Sequence, residues 1–154
     1  MTANEILIPI NLWVVLFLIS PIGTYLNYHT EVTLYYGIVA ADKEDLDLSK
    51  RGLQDSLTNP KYNWVFFAIQ GIRILLIVAL FYYGGLTHGI ASLITVFLIA
   101  YALTRKVFPP PTSHFWLRSI LKSLINREAD YRRDNNNMRA DALSEIRRRL
   151  MDRT

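Results

Sequence analysis

Residues 64–106 read WVFFAIQGIRILLIVALFYYGGLTHGIASLITVFLIAYALTRK. From Trp64 to Leu103 the only charged side chain is Arg73. The run is about twice the ~20 residues that a helix needs to cross a bilayer. Gly84, Gly85 and Gly89 interrupt it near its middle. This pattern predicts a hairpin of two spanning helices, over residues 64–83 and 87–106. The glycines would supply the tight turn and close helix approach. Ala91, Ser92, Thr95 and Ala100 give the second arm small residues for close packing. Residues 6–28 form a third apolar stretch of similar length. The expected fold is an all-α integral membrane protein with three transmembrane helices in a membrane domain over 1–108.

The charges around these stretches are lopsided. Neither the segment before residue 6 nor the turn 84–89 holds Lys or Arg. The link 29–63 holds Lys43, Lys50, Arg51 and Lys61. The tail after the third stretch runs from Arg105 and Lys106 through Arg118 and Lys122 to Arg147, Arg148, Arg149 and Arg153. Three crossings alternate sides, so link and tail share one side. The positive-inside rule then predicts N-terminus out and C-terminus in. The expected location is the plasma (inner) membrane with a basic cytoplasmic tail over 109–154.

Of 154 residues, 51% are hydrophobic, and the formal net charge is +4. Mean hydropathy is +0.18. The length fits one membrane domain plus a tail. The chain has no cysteine, which excludes disulfides, thiolate metal sites and cysteine nucleophiles. Met1-Thr2-Ala3-Asn4-Glu5 lacks a basic region, and no Ala-x-Ala site follows the first apolar stretch. That stretch is therefore expected to span rather than to be cleaved.

Within the first span, Pro21 after Ser20 predicts a kink, with Ser20, Thr24 or a neighbouring helix serving the freed carbonyl. Trp13 at one end and Tyr25 and Tyr28 at the other suit interfacial belts. Residues 33–40 are apolar but too short to cross. They suit an interfacial or protein-covered segment, with extension of the first helix as the alternative. Residues 42–50 are charged, and Asn59-Pro60 marks a turn.

Pro109-Pro110-Pro111 closes the third span with an extended segment. Over 114–127, Trp116, Leu117, Ile120, Leu121 and Leu124 share one helical face, opposite Arg118, Ser119, Lys122, Ser123 and Asn126. This predicts an amphipathic helix lying in the lipid headgroup plane, or else one docked on protein. A last helix is expected over 138–151. Leu143, Ile146 and Leu150 give it a narrow stripe that needs a partner, and Glu145 can pair with Arg148 and Arg149.

Arg73 is the sharpest candidate site residue. An arginine near the centre of a span costs roughly 2.5–3.5 kcal/mol on insertion scales. Gln70 lies one turn earlier and can share its polar face. Arg73 can snorkel, bind a carboxylate of another subunit or a lipid, or line a permeation path. No carboxylate stands at comparable depth in the other spans, which favours a partner beyond this chain. Trp116, Arg118, Lys122, Arg147, Arg148 and Arg149 are the other candidate contacts for partners or anionic lipid. Nucleic acid is a less favoured partner for the basic tail. His29, His88 and His114 are not at metal-ligand spacing, and no phosphate loop, nucleophile elbow or zinc-protease motif occurs. No cofactor, metal or catalytic residue is expected.

The expected function is a non-catalytic accessory or structural subunit of a larger membrane complex. A homo-oligomeric channel or transporter is the first rival. A lipid-acting enzyme using His29, Glu31 or the Asp42–Asp47 cluster is the second.

Overall fold

The computed structural model describes residues 3–40 and 60–153, with side chains over 7–40 and 63–152. The expectations for 42–50 and for Asn59 lie outside these residues. The described residues are helical throughout apart from short connections, and no strand occurs among them. The helices are α1 (Ala3–Ala40), α2 (Pro60–Ala102), α3 (His114–Arg133) and α4 (Asn137–Arg153). A π-helical turn, Leu103–Val107, follows α2. Two stretches, Leu7–Ala40 and Asn63–Val107, are long and apolar enough to cross a membrane. Neither is mostly buried within the chain. Most of their surface is open, with Phe17, Leu18, Phe67, Leu75, Phe97 and Leu98 at 52–68% exposure.

The chain divides into two units. The first contains residues up to Tyr28 together with Asn63–Phe108. Here α2 is broken at Gly85, whose φ of 73° and ψ of −172° suit glycine alone. Phe81 packs against Gly89. Eight residues on a straight helix stand about 12 Å apart, so the chain turns back on itself at Gly85. Trp13 Nε1–H donates to His88 Nδ1 at the turn (3.1 Å). Gln70 meets Asn27 farther along. Phe108 stacks on Tyr28 and meets Tyr25 edge-on. The first arm of α2 thus runs antiparallel to α1, and the second runs alongside α1 in the same direction. Leu16, Ser20, Thr24, Leu80 and Ser92 are buried in this unit.

α1 runs unbroken through Pro9 and Pro21. Thr24 Oγ1 donates to the Ser20 carbonyl (2.9 Å). Ser20 Oγ is buried without a partner, and the Thr24 bond goes to the Ser20 carbonyl rather than to that of Phe17, which Pro21 leaves without its helical donor.

The second unit contains His29–Tyr62 and Pro109–Thr154. Residues 33–40 continue α1 as helix, and protein covers one side of them: Val32, Tyr36 and Ala40, spaced by four, are at most 2% exposed. The segment is thus an extension of the first helix, the alternative from sequence, and it is covered by protein on one side as one of the favoured readings had it. α3 and α4 form an antiparallel hairpin. Its turn is a Schellman motif: Asn135 is left-handed (φ 57°), Asn136 N–H donates to Tyr131 O, and Asn135 N–H to Arg132 O. The Asn136 carboxamide oxygen then caps α4 by accepting from Arg139 N–H.

The amphipathic faces read from sequence meet within this unit. Trp116, Ile120 and Leu124 are each 1% exposed, and Ala140, Leu143, Ile146 and Leu150 are buried on α4. The expectation that the Trp116 face lies in lipid is therefore corrected. An amphipathic period states that a face is covered, and here the cover is protein. α3 also runs on to Arg133, past the expected end at residue 127.

Candidate functional site

Arg73 lies on the first arm of α2, on the side that faces α1. It is only 8% exposed. Its chain passes Gly23 of α1 so closely that a Cβ there would stand 2.6 Å from Nη1 and 2.7 Å from Cδ. Glycine is what allows this approach. Arg73 Nη1–H donates to Gln70 Oε1 (2.9 Å). Gln70 Nε2 in turn donates to the Gly23 carbonyl (3.2 Å) and to Asn27 Oδ1 (3.1 Å). Four residues on two helices thus form one polar seam between apolar surfaces.

The seam is incomplete. Arg73 Nε is buried with no hydrogen-bond partner. A guanidinium carries five donors and a full charge, and Arg73 makes one hydrogen bond and no ion pair among the described residues. The amide of Gln70 offers a dipole where a carboxylate or phosphate would offer a charge. Chemically, these four residues offer amide and guanidinium donors and one positive charge, which suits an anion.

Gly23 and Asn27 were not recognised as site residues from sequence. They stand four residues apart on α1, and Gln70 and Arg73 three apart on α2, each about one helical turn.

In the second unit, Trp116 is a core residue. Its Nε1–H donates to the Pro109 carbonyl (2.9 Å), and its ring lies 5.9 Å from that of His29, edge-on. Tyr36 O–H donates to the Ser113 carbonyl (3.4 Å). Arg147, Arg148 and Arg149 are engaged within the hairpin. Arg147 pairs with Glu128 of α3 (3.3 Å). Arg148 forks onto Glu145 through Nε and Nη2 (2.9 and 2.8 Å), and Arg149 Nε joins it (2.9 Å). These donors hold the Glu145 carboxyl at about 2, well below its usual 4.5. Arg132 bridges Glu128 and Asp141. Arg118 and Lys122 are exposed and have no carboxylate at ion-pair distance among the described residues. No group of three or more His, Asp or Glu is placed to hold a metal among them.

Comparison of the chain with models of known families, with curated proteins and with solved structures finds no match.

Proposed function

We propose that the chain is a non-catalytic subunit of a larger membrane assembly. In this reading it crosses the plasma (inner) membrane three times, with its N-terminus outside and its hairpin tail in the cytoplasm. The observation that carries the assembly role is Arg73. A guanidinium enclosed between apolar helices, with a buried Nε unpartnered, is costly unless an anion completes it. The anion chemistry that suits a planar fork is a carboxylate or phosphate, and a carboxylate on a partner's helix is the occupant favoured here.

Three crossings rest on the break at Gly85 and on the aromatic residues of the first arm. Trp64 and Tyr82 are 77% and 81% exposed. They stand eighteen residues apart, about 27 Å along a helix, close to the thickness of a bilayer's hydrocarbon core. The orientation rests on the charge asymmetry.

The test is recovery of partners with Arg73 variants in mild detergent. Arg73→Leu should insert at least as well as wild type and lose partners. Arg73→Lys should recover them only in part, because lysine lacks the bidentate fork. Recovery of the same partners at wild-type yield with Arg73→Leu rejects the anchoring role.

A further inference from the structure

The burial of the Trp116 face leaves the opposite face of α3 to be explained. At 3.6 residues per turn, Phe115, Arg118, Ser119, Lys122, Ile125 and Asn126 fall together on that opposite side. Phe115 is 61% exposed and Ile125 48%, while the four polar residues are exposed as well. Residues 114–127 contain no Asp or Glu. The carboxylates of α3 begin at Glu128 and Asp130, and each is paired with an arginine.

Most other arginines of the hairpin are engaged differently, and Arg139 lies over the Tyr131 ring. Arg132, Arg133, Arg147, Arg148 and Arg149 all meet carboxylates. Among the described residues Arg118 and Lys122 meet none, and they flank exposed apolar side chains. Cations beside an exposed phenylalanine and isoleucine match a surface that offers phosphate and hydrocarbon together.

We infer that the Phe115–Arg118–Lys122–Ile125 face of α3 docks on the anionic lipid surface. Arg118 and Lys122 contact headgroup phosphates while Phe115 and Ile125 enter the acyl boundary. The inference rests on the membrane-spanning reading of Asn63–Val107. Phe115 follows Val107 by eight residues, a tether of at most about 28 Å. It goes beyond the anchoring role of Arg73, which concerns a different unit. It also places the lipid contact on the face opposite to that suggested by hydrophobic periodicity alone.

The absence of cysteine makes a single-site probe clean. The full chain carrying Asn126→Cys, labelled with an environment-sensitive fluorophore, is reconstituted into vesicles of phosphatidylcholine with or without phosphatidylglycerol. Resistance of the protein to alkaline carbonate extraction verifies the spanning helices separately, so failure of that reading is seen apart from failure of docking. The probe should shift to the blue only with phosphatidylglycerol. The shift should reverse in ~1 M salt, where the screening length falls to about 3 Å. Arg118→Ala with Lys122→Ala should lower the docked-to-undocked ratio roughly thirtyfold, at about fivefold per cation. Arg118→Lys should retain docking, because a point charge suffices for a headgroup. A probe at Ala142→Cys, exposed on α4, should not respond to lipid. An unshifted Asn126 probe in anionic vesicles, a shift equal in both lipids, or a response confined to the Ala142 probe overturns the inference. A docked-to-undocked ratio that is unchanged by loss of both cations overturns it as well.

Discussion

Adding one methyl group at Gly23 tests whether Arg73 belongs to the helix seam. In Gly23→Ala the new Cβ would stand 2.6 Å from Arg73 Nη1, 2.7 Å from Cδ and 3.2 Å from Cζ. Non-bonded carbon atoms rest at about 3.5–4.0 Å, so Cδ must retreat by roughly 1 Å. The terminal nitrogens can swing aside, but Cδ sits mid-chain and Nη1 is held by Gln70. Overpacking of this kind costs about 1–3 kcal/mol. Loss of the Gln70 bond adds about 0.6 kcal/mol, the average for such bonds in a membrane. Replacing a mid-helix glycine by alanine returns about 0.5–1 kcal/mol. The net expectation is a loss of about 0.6–3 kcal/mol. In the Arg73→Ala background the clash is gone, and Gly23→Ala should be neutral or stabilising by up to about 1 kcal/mol. Reversible unfolding in mixed detergent and dodecyl sulfate micelles, followed by tryptophan fluorescence, measures all four corners of this cycle. A coupling of about 1.6–3.6 kcal/mol is expected from the clash and the lost Gln70 bond. Effects of Gly23→Ala that agree in the two backgrounds within about 0.5 kcal/mol, the range of independent sites, refute the seam.

Three further outcomes follow from the geometry. Trp116→Ala removes a 1% exposed indole and its bond to Pro109; it should cost about 3–5 kcal/mol and raise amide exchange at Leu143, Ile146 and Leu150, and unchanged protection there would contradict the hairpin core. Glu145, held at about 2 against 4.5 by Arg148 and Arg149, contributes stability that is present above pH 4.5 and lost as pH falls towards 2; a carboxyl titration by NMR should show the low midpoint, Arg148→Ala with Arg149→Ala should return it towards 4.5, and an unshifted wild-type midpoint would refute the fork. A cysteine at Thr87, exposed beside the Gly85 turn, should react with an impermeant maleimide in intact cells while one at Ala142 stays protected; the reverse pattern would invert the orientation.

The hairpin in residues 64–106 was legible because apolar length and paired glycines act locally. Gly85 adopts a backbone state that suits glycine alone. The continuation of α1 to Ala40 was harder to read. Residues 33–40 are apolar around Gly37, and their outcome turns on Val32, Tyr36 and Ala40 finding cover in the second unit. On α3 and α4 both stripes could be read, yet periodicity does not say which surface meets which. The narrow stripe of Leu143, Ile146 and Leu150 was half of the answer to the Trp116 face. The positive charge of the tail overstated its free cations, since Glu128 pairs across the hairpin with Arg147. Arg73 stood out through its insertion cost and Gln70 through its spacing. Gly23 and Asn27 joined them only through the packing of a separate helix.

The central claim is that this chain is one part of a larger membrane assembly, and native mass measurement of the wild-type protein ejected from lipid nanodiscs tests it most directly. The account predicts a discrete mass containing this chain with different chains in fixed ratio, dissociating when Arg73 is replaced by leucine. A chain of 17.8 kDa found alone, or only in whole-number multiples of itself, would contradict the account.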